Sequence, residues 1–198
     1  MKKPIFFCAI ALVSTTMFTH QIRAGDPILE LDPSTNFTTG DDWTLGWSFF
    51  TNESIIVDEL GWYDSFGDGL TESHEVGLWN STGTLLASTV VTNADPLVDW
   101  FRYSDIPNLL LEKGEVYIVA GRSGTEDYTF EPFSLTIAPS VSYIEDRYIL
   151  DPGNLTFPTK STGELGWWGA SFTTTAVPEP TSAGLLTIMA MGVLRRRK

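Results

Sequence analysis

Cysteine and histidine, which most metal centres and nucleophilic active sites use, are almost absent from this sequence. Its 198 residues include one cysteine, Cys8, and two histidines, His20 and His74. A disulfide and a zinc site with the usual Cys and His ligands are therefore excluded. No Gly-x-Ser-x-Gly motif occurs either, so a serine nucleophile paired with a histidine base has no support. We predict no catalytic residues.

Basic residues are also scarce, and most of them lie at the two ends of the chain. Seven of the 12 Lys and Arg residues fall within the first 24 or the last four positions. The remaining five share the region between positions 25 and 180 with all 25 acidic residues, which gives that region a formal charge of −20. Because binding to phosphates requires clustered Lys and Arg, we predict no nucleic-acid partner.

The first 24 residues have the pattern of a secretory signal peptide. Lys2 and Lys3 form a basic start, residues 5–18 are mostly apolar, and Ala24 offers a small residue for cleavage. The apolar stretch is too short to span a bilayer comfortably. A buried core helix is the alternative, although no capping residue precedes it. Export would remove Cys8 and leave the mature protein without a thiol.

The C-terminus consists of three consecutive parts. Residues 176–180 contain two prolines, which hold the chain extended. Residues 181–194 form an apolar run that predicts a short transmembrane-like helix of about 21 Å, less than the ~30 Å hydrocarbon core of a bilayer. Residues 195–198 are a basic stop that favours the cytoplasmic side. The sorting motif is Val177, Pro178, Glu179 and Pro180, and the basic stop is Arg195, Arg196, Arg197 and Lys198.

This order of parts resembles the PEP-CTERM sorting signal of bacteria that make extracellular polysaccharide. The resemblance covers residues 177–198 and implies a partner, a membrane transpeptidase of the exosortase type that recognises the Pro-Glu-Pro sequence. It also implies transient membrane insertion of the apolar helix, followed by its removal. The same tail is catalogued as an ice-binding protein C-terminal motif, although the rest of the chain lacks the regular Thr-x-Thr array of a flat ice-binding face. A simple C-terminal membrane anchor is the alternative.

Between the ends lies one domain, residues 25–175, whose pattern is all-β. No stretch keeps a 3.6-residue apolar period for three turns, and Asn-Ser-Thr-Gly at 80–83 predicts a hairpin with Gly83 in a left-handed position. Many short strands without intervening helices favour a single β-sandwich or jelly-roll domain, flanked by the signal helix and the C-terminal hydrophobic helix. The predicted strands are 43–50, 54–63, 76–79, 84–91, 98–103, 115–120, 133–138 and 167–174.

This domain resembles a β-sandwich domain of unknown function from bacterial surface and polysaccharide-associated proteins. The resemblance covers residues 43–121. Residues 77–88, Gly-Leu-Trp-Asn-Ser-Thr-Gly-Thr-Leu-Leu-Ala-Ser, carry it most clearly, and residues 100–103, Trp-Phe-Arg-Tyr, continue it. It implies the fold, and no established activity comes with it.

The loop at 64–75 is the candidate metal site. Acidic residues occupy its positions 1, 5, 9 and 12, and glycine occupies position 6, as in a calcium-binding helix-loop-helix. Phe66 replaces the usual ligand at position 3 and the flanks are strand-like, so the loop is no EF-hand. Calcium is nevertheless the one candidate cofactor, and a solvated acidic turn is the alternative. The four candidate ligands are Asp64, Asp68, Glu72 and Glu75.

All seven tryptophans lie in the middle domain. Indole rings fill sandwich cores or, when exposed, stack on sugar rings. Alternation places Trp43, Leu45 and Trp47 on one face of a strand, which suits a core. Two adjacent tryptophans in an extended chain point to opposite faces, so one of them is a candidate for contact with a glycan. The candidate stacking residues are Trp167, Trp168 and Trp100.

Three functions are compatible with this sequence. The first is a non-enzymatic protein of the cell surface or extracellular matrix, exported, sorted by its tail and associated with exopolysaccharide. The second is a carbohydrate-binding module with an aromatic platform. The third is a matrix glycoside hydrolase, which needs two carboxylates about 5–10 Å apart. All three imply export, with transient anchoring in the membrane through the C-terminal helix.

Overall fold

The computed structural model describes residues 25–40, 42–150, 153–175 and 177. The predicted signal helix, the sorting-motif residues Pro178, Glu179 and Pro180, the hydrophobic helix and the basic stop lie outside the described residues. Within the described part, no helix has both the length and the apolar character needed to cross a membrane.

The described chain consists of β-strands and one short 3-10 helix. The strands are β1 (Asp26–Pro27), β2 (Leu29–Asp32), β3 (Thr35–Phe37), β4 (Trp43–Thr51), β5 (Ile55–Tyr63), β6 (His74–Asn80), β7 (Leu85–Val91), β8 (Leu97–Val98), β9 (Phe101–Leu111), β10 (Val116–Arg122), β11 (Tyr128–Phe130), β12 (Ser134–Ile137), β13 (Val141–Leu150) and β14 (Ala170–Thr175), and the helix is Ser65–Gly67.

Two five-stranded antiparallel sheets pack face to face, which confirms the all-β sandwich. The first sheet has the order β1-β14-β5-β9-β8, and the second has the order β13-β4-β10-β6-β7. Two small ribbons, β11-β3 and β12-β2, lie beside them. The predicted hairpin joins β6 to β7. There the Oδ1 atom of Asn80 accepts hydrogen bonds from the amides of Thr82 and Thr84, and Gly83 has a φ of +86°, as predicted.

Large aromatic side chains fill the space between the sheets. Trp47 and Phe49 project from alternate positions of β4 and are fully buried. Their rings meet that of Phe172 from β14 at centroid distances of 5.9 and 5.0 Å. The Nε1 atom of Trp47 donates to the carbonyl of Ala170 at 3.0 Å, so the polar atom of the indole is satisfied inside the core. Burying each such ring stabilises the fold by about 1.5–3 kcal/mol.

The centre of the second sheet is also covered on its outer face. Trp79, Ile118 and Ala120 are buried there against Leu155 and Phe157, which belong to the segment that precedes β14. The segment then runs beside the edge strand β13, where the backbones of residues 148 and 160 pair. This path brings residues 161–168 to the end of the sandwich at which β4 begins.

The two ends of β4 mark the two ends of the sandwich. Eight steps of ~3.3 Å separate its first and last residues, Trp43 and Thr51, by about 26 Å. Near Thr51 lies a cavity of about 430 Å³, lined among others by Asp26, Glu53 and Val177. The first strand and the last described residue therefore meet at this end, which we call the terminal end.

Candidate ligand-binding cleft

A cleft of about 410 Å³ opens at the end of the sandwich opposite the terminal end. Four of its seven lining residues are aromatic, and we call it the aromatic cleft. The lining residues are Thr39, Trp43, Leu45, Tyr128, Tyr148, Thr162 and Trp167.

Strand geometry places these side chains together. Trp43 and Leu45 occupy alternate positions of β4 and so share the face that carries Trp47 into the core. Tyr148 of β13 lies directly opposite Leu45 in the register of the two strands. Tyr128 begins β11, and the segment before β14 supplies the remaining indole. The inward face of β4 thus continues from the core into the cleft.

The aromatic rings support one another. Trp43 and Tyr148 have ring centroids 5.8 Å apart. The ring of Trp167 meets that of Tyr128 edge to face, at 5.5 Å and 87°, and stacks on Phe130 at 5.2 Å and 28°. Such pairs each contribute about 0.5–1.5 kcal/mol beyond the area they bury. The partly exposed Trp167 indole is therefore held in one orientation.

A buried carboxylate, Asp146 of β13, fastens the segment that carries Trp167. Its side chain accepts hydrogen bonds from Trp167 Nε1 at 3.1 Å, from the amide and hydroxyl of Thr162 at 2.9 and 3.0 Å, from the Gly163 amide at 2.9 Å and from the Ser161 hydroxyl at 2.9 Å. Asp146 is only 1% exposed. Burial alone would raise the pKa of this carboxyl, but the hydrogen bonds from residues 161–163 outweigh it and lower the pKa. Asp146 is therefore an anion directly beneath the cleft.

The three predicted stacking tryptophans lie in three different environments. Trp168 is fully buried, with its ring 5.8 Å from Trp47, so it belongs to the core and its prediction as a stacking residue is corrected. Trp100 is half-buried against Tyr63 and lines a different cavity, of about 290 Å³. Trp167 alone of the three lines the aromatic cleft, and it points away from Trp168 as adjacent residues of an extended chain do.

The four acidic residues of the 64–75 loop do not gather around a common centre, which corrects the predicted calcium site. Asp64 is fully buried and is occupied by protein donors: its carboxylate accepts from Arg102 Nε at 2.7 Å and from the Gly69 amide at 3.1 Å. Asp68 is exposed on the loop surface. Among the described residues, no group of three or more His, Cys, Asp or Glu side chains is placed to hold a metal ion.

The other two acids of the loop also contact protein groups, Glu72 in the connection between β10 and β11 and Glu75 at the end of β10. Glu72 accepts hydrogen bonds from the amide and hydroxyl of Thr125, and Glu126 accepts in return from the amide and hydroxyl of Thr71. Burial would raise the pKa of Glu72, but the bonds from Thr125 lower it overall. The Oε2 atom of Glu75 lies 3.6 Å from Nη1 of Arg122. These carboxylates are satisfied by N–H, O–H and guanidinium donors, which is why they are not available as a set of cation ligands.

His74 packs against an indole ring and a backbone carbonyl. Its ring lies 4.7 Å from that of Trp62 at an interplanar angle of 10°, and its Nδ1 atom is 2.8 Å from the carbonyl oxygen of Arg122. Its Nε2 atom is buried and has no hydrogen-bond partner among the described residues. Burial lowers the pKa of the imidazole. His74 is therefore neutral, and it lies outside the aromatic cleft.

Together these features define a class: an antiparallel β-sandwich with an aromatic cleft at one end and both described chain ends at the other. The chain belongs to the family described as a domain of unknown function (DUF4082), whose family model matches residues 31–169. That range includes all seven residues of the cleft. The match agrees with the resemblance to a β-sandwich domain of unknown function. No curated protein and no solved structure matches the chain.

Proposed function

We propose that the protein is an exported, non-enzymatic component of the cell surface or matrix whose sandwich binds polysaccharide through the aromatic cleft. The observation that carries this proposal is the convergence of four aromatic rings on one cleft of about 410 Å³. Aromatic faces stack on the C–H faces of sugar rings, and a few polar atoms then fix orientation. Two threonines, Thr39 and Thr162, line the same cleft.

The fixed orientation of Trp167 supports stacking of a sugar ring in the cleft. Trp167 is held by Phe130, by Tyr128 and by the hydrogen bond to Asp146 before any ligand arrives. A preorganised side chain does not lose further rotamer freedom on binding, a loss that otherwise costs about 0.5–1.5 kcal/mol per side chain.

The composition of the lining favours binding over hydrolysis. A glycoside hydrolase needs two carboxyl groups flanking the scissile bond. None of the seven lining residues is acidic. Asp146, the carboxylate beneath the cleft, accepts hydrogen bonds from five protein donor groups and so is occupied as a structural anchor.

The position of the cleft suits a protein attached through its C-terminus. Val177, the first residue of the predicted sorting motif, lies at the terminal end, and the cleft lies at the opposite end of β4, a strand about 26 Å long. A chain joined to the membrane or to an acceptor beyond Val177 would therefore present the cleft outward. The signal-peptide pattern and the PEP-CTERM-like tail support export and recognition by a membrane transpeptidase.

Binding is tested by affinity electrophoresis and calorimetry of the full chain with extracellular polysaccharides. We expect Trp167→Ala and Trp43→Ala each to weaken binding by about two- to tenfold, since loss of one stacked aromatic removes about 0.5–1.5 kcal/mol. Phe133→Ala is the matched control, because Phe133 is 79% exposed and lies outside the cleft. Equal affinities for wild type and both tryptophan variants would refute the cleft as the binding site.

Sorting is tested separately by intact-mass measurement of the protein from producing cells. The expected mature species begins near Gly25 and ends near residues 178–180, because a sub-length apolar helix with a basic stop suits cleavage better than anchorage. A species that keeps residues 181–198 would favour the simple anchor.

A further inference from the structure

Among the described residues, a carboxylate is hydrogen-bonded to side chains that line the aromatic cleft. Asp146 accepts hydrogen bonds from two lining residues, Trp167 and Thr162. The seven lining residues themselves are uncharged. The Asp146 side chain is 1% exposed, so its charge is screened less than that of a surface carboxylate.

The neighbouring basic side chains do not line the cleft. Arg147 follows Asp146 on β13 and so projects from the opposite face, where it pairs with Glu145. Arg122 is engaged by Asp42 at 2.9 Å and by Glu75. Lys160 pairs with Tyr148 through the backbone only and is exposed. In the part of the chain that the structure describes, no basic side chain forms an ion pair with Asp146 or lines the cleft.

A carboxylate bonded to the indole N–H also changes the ring itself. The anion draws the N–H proton toward itself and increases electron density over the ring, in the way that linked hydrogen bonds polarise one another. A cation is attracted to the negative face of an aromatic ring, most strongly to tryptophan. Trp167 is thus polarised toward cations, whereas an acidic sugar approaching it meets repulsion from Asp146.

We propose that the aromatic cleft selects sugars that carry a free, protonated amino group over neutral and acidic sugars. This inference rests on the proposed carbohydrate binding and names its ligand class. The sugar ring stacks on the aromatic walls and the ammonium group lies over the face of Trp167 opposite Phe130, near the ring edge whose N–H meets the Asp146 carboxylate.

The test is calorimetry of the full chain with four oligosaccharides of equal length at mildly acidic pH, where free amino groups are charged. They are oligomers of glucosamine, N-acetylglucosamine, glucose and galacturonic acid. We expect the glucosamine oligomer to bind about tenfold more tightly than the two neutral oligomers, as a desolvated cation–π contact allows, and the galacturonate to bind most weakly. Equal affinity for the charged and neutral oligomers overturns the selectivity and leaves the proposed function intact. Absence of binding to all four overturns both.

Variants distinguish selectivity of the cleft from the general attraction of a polycation to an acidic protein. Trp167→Phe keeps an aromatic ring but loses the N–H bonded to Asp146, so we expect the ratio of the affinity for the glucosamine oligomer to that for the neutral oligomers to fall severalfold. Asp68→Asn removes an exposed charge outside the cleft and should leave the preference unchanged. Asp146→Asn, checked for folding by circular dichroism, should reduce it. An unchanged preference in Trp167→Phe, or an equal loss in Asp68→Asn, would assign the selectivity to overall charge and overturn the proposal.

Discussion

Replacing Asp146 should detach the segment that carries Trp167 and destabilise the whole sandwich. Asp146→Ala deprives five donor groups of their acceptor, among them the partly buried indole N–H of Trp167. A hydrogen bond to a charged group contributes about 1.5–3 kcal/mol, but the exposed amides of Thr162 and Gly163 can recover water. We therefore expect a loss of about 2–4 kcal/mol in the free energy of unfolding, and about half of that for Asp146→Asn, which keeps one acceptor oxygen.

Urea unfolding followed by tryptophan fluorescence measures this loss. With a slope of about 1–3 kcal/mol/M for a domain of this size, the midpoint of Asp146→Ala should fall by about 1–2 M. Glu145→Ala is the matched control, because Glu145 is the preceding residue and forms a half-exposed pair with Arg147, a kind of pair that contributes about 0–1 kcal/mol. Equal midpoints for the Asp146→Ala and Glu145→Ala variants would show that Asp146 is not an anchor.

The hydrogen bonds to Asp146 also predict that the stability of the fold depends on pH. The pKa of Asp146 is lower in the folded state than its ordinary value of 3.8. Its contribution to stability is therefore fully present above that value and is lost as the pH falls through the folded pKa. Wild type should lose stability over this acid range more steeply than Asp146→Ala, and parallel curves would contradict the assignment.

Two further predictions concern Trp62 and its neighbours. A Cβ at Gly121 would lie 2.7 Å from the buried Trp62 ring. Gly121→Ala should therefore lower the free energy of unfolding, measured in urea, by about 1–3 kcal/mol. An unchanged urea midpoint would contradict this packing. Because burial lowers the pKa of His74 below 6.5, the unfolded chain binds the extra proton first and stability falls as the pH drops below that value. His74→Phe should remove this slope in urea titrations at several pH values, and a slope that persists would assign it to other groups.

The strands that sequence patterns predicted are runs rich in aromatic and β-branched residues that are bounded by turn residues. Strands 43–50, 54–63 and 84–91 are observed within one residue of the predicted ends. The strand β13 was missed because Glu145, Asp146 and Arg147 interrupt its apolar pattern. Strand β9 extends to Leu111, well beyond the predicted end at 103. It passes through Pro107, which lies where the register with β5 shifts, and a residue without an N–H is tolerated at such a bulge.

The cleft was predictable only in part, because its residues are distant in the sequence. The opposite-face rule for adjacent tryptophans led to Trp167, and alternation placed Trp43 beside the core stripe of β4. Tyr128 and Tyr148 carried no local signal, since only strand pairing brings them to Trp167. Spacing within the acidic loop likewise could not reveal that Arg102, 38 positions away, and Thr125, 53 positions away, occupy the carboxylates of Asp64 and Glu72.

The most direct test of the central claim is a ¹H–¹⁵N NMR titration of the full chain that follows the indole N–H signals as polysaccharide fragments are added. If the aromatic cleft binds sugar, the signals of Trp43 and Trp167 should shift progressively with ligand concentration. Those of the core residues Trp47, Trp62 and Trp168 should stay in place, because their rings are fully buried. Shifts confined to Trp100, or no shift at any concentration, would contradict carbohydrate binding at this cleft.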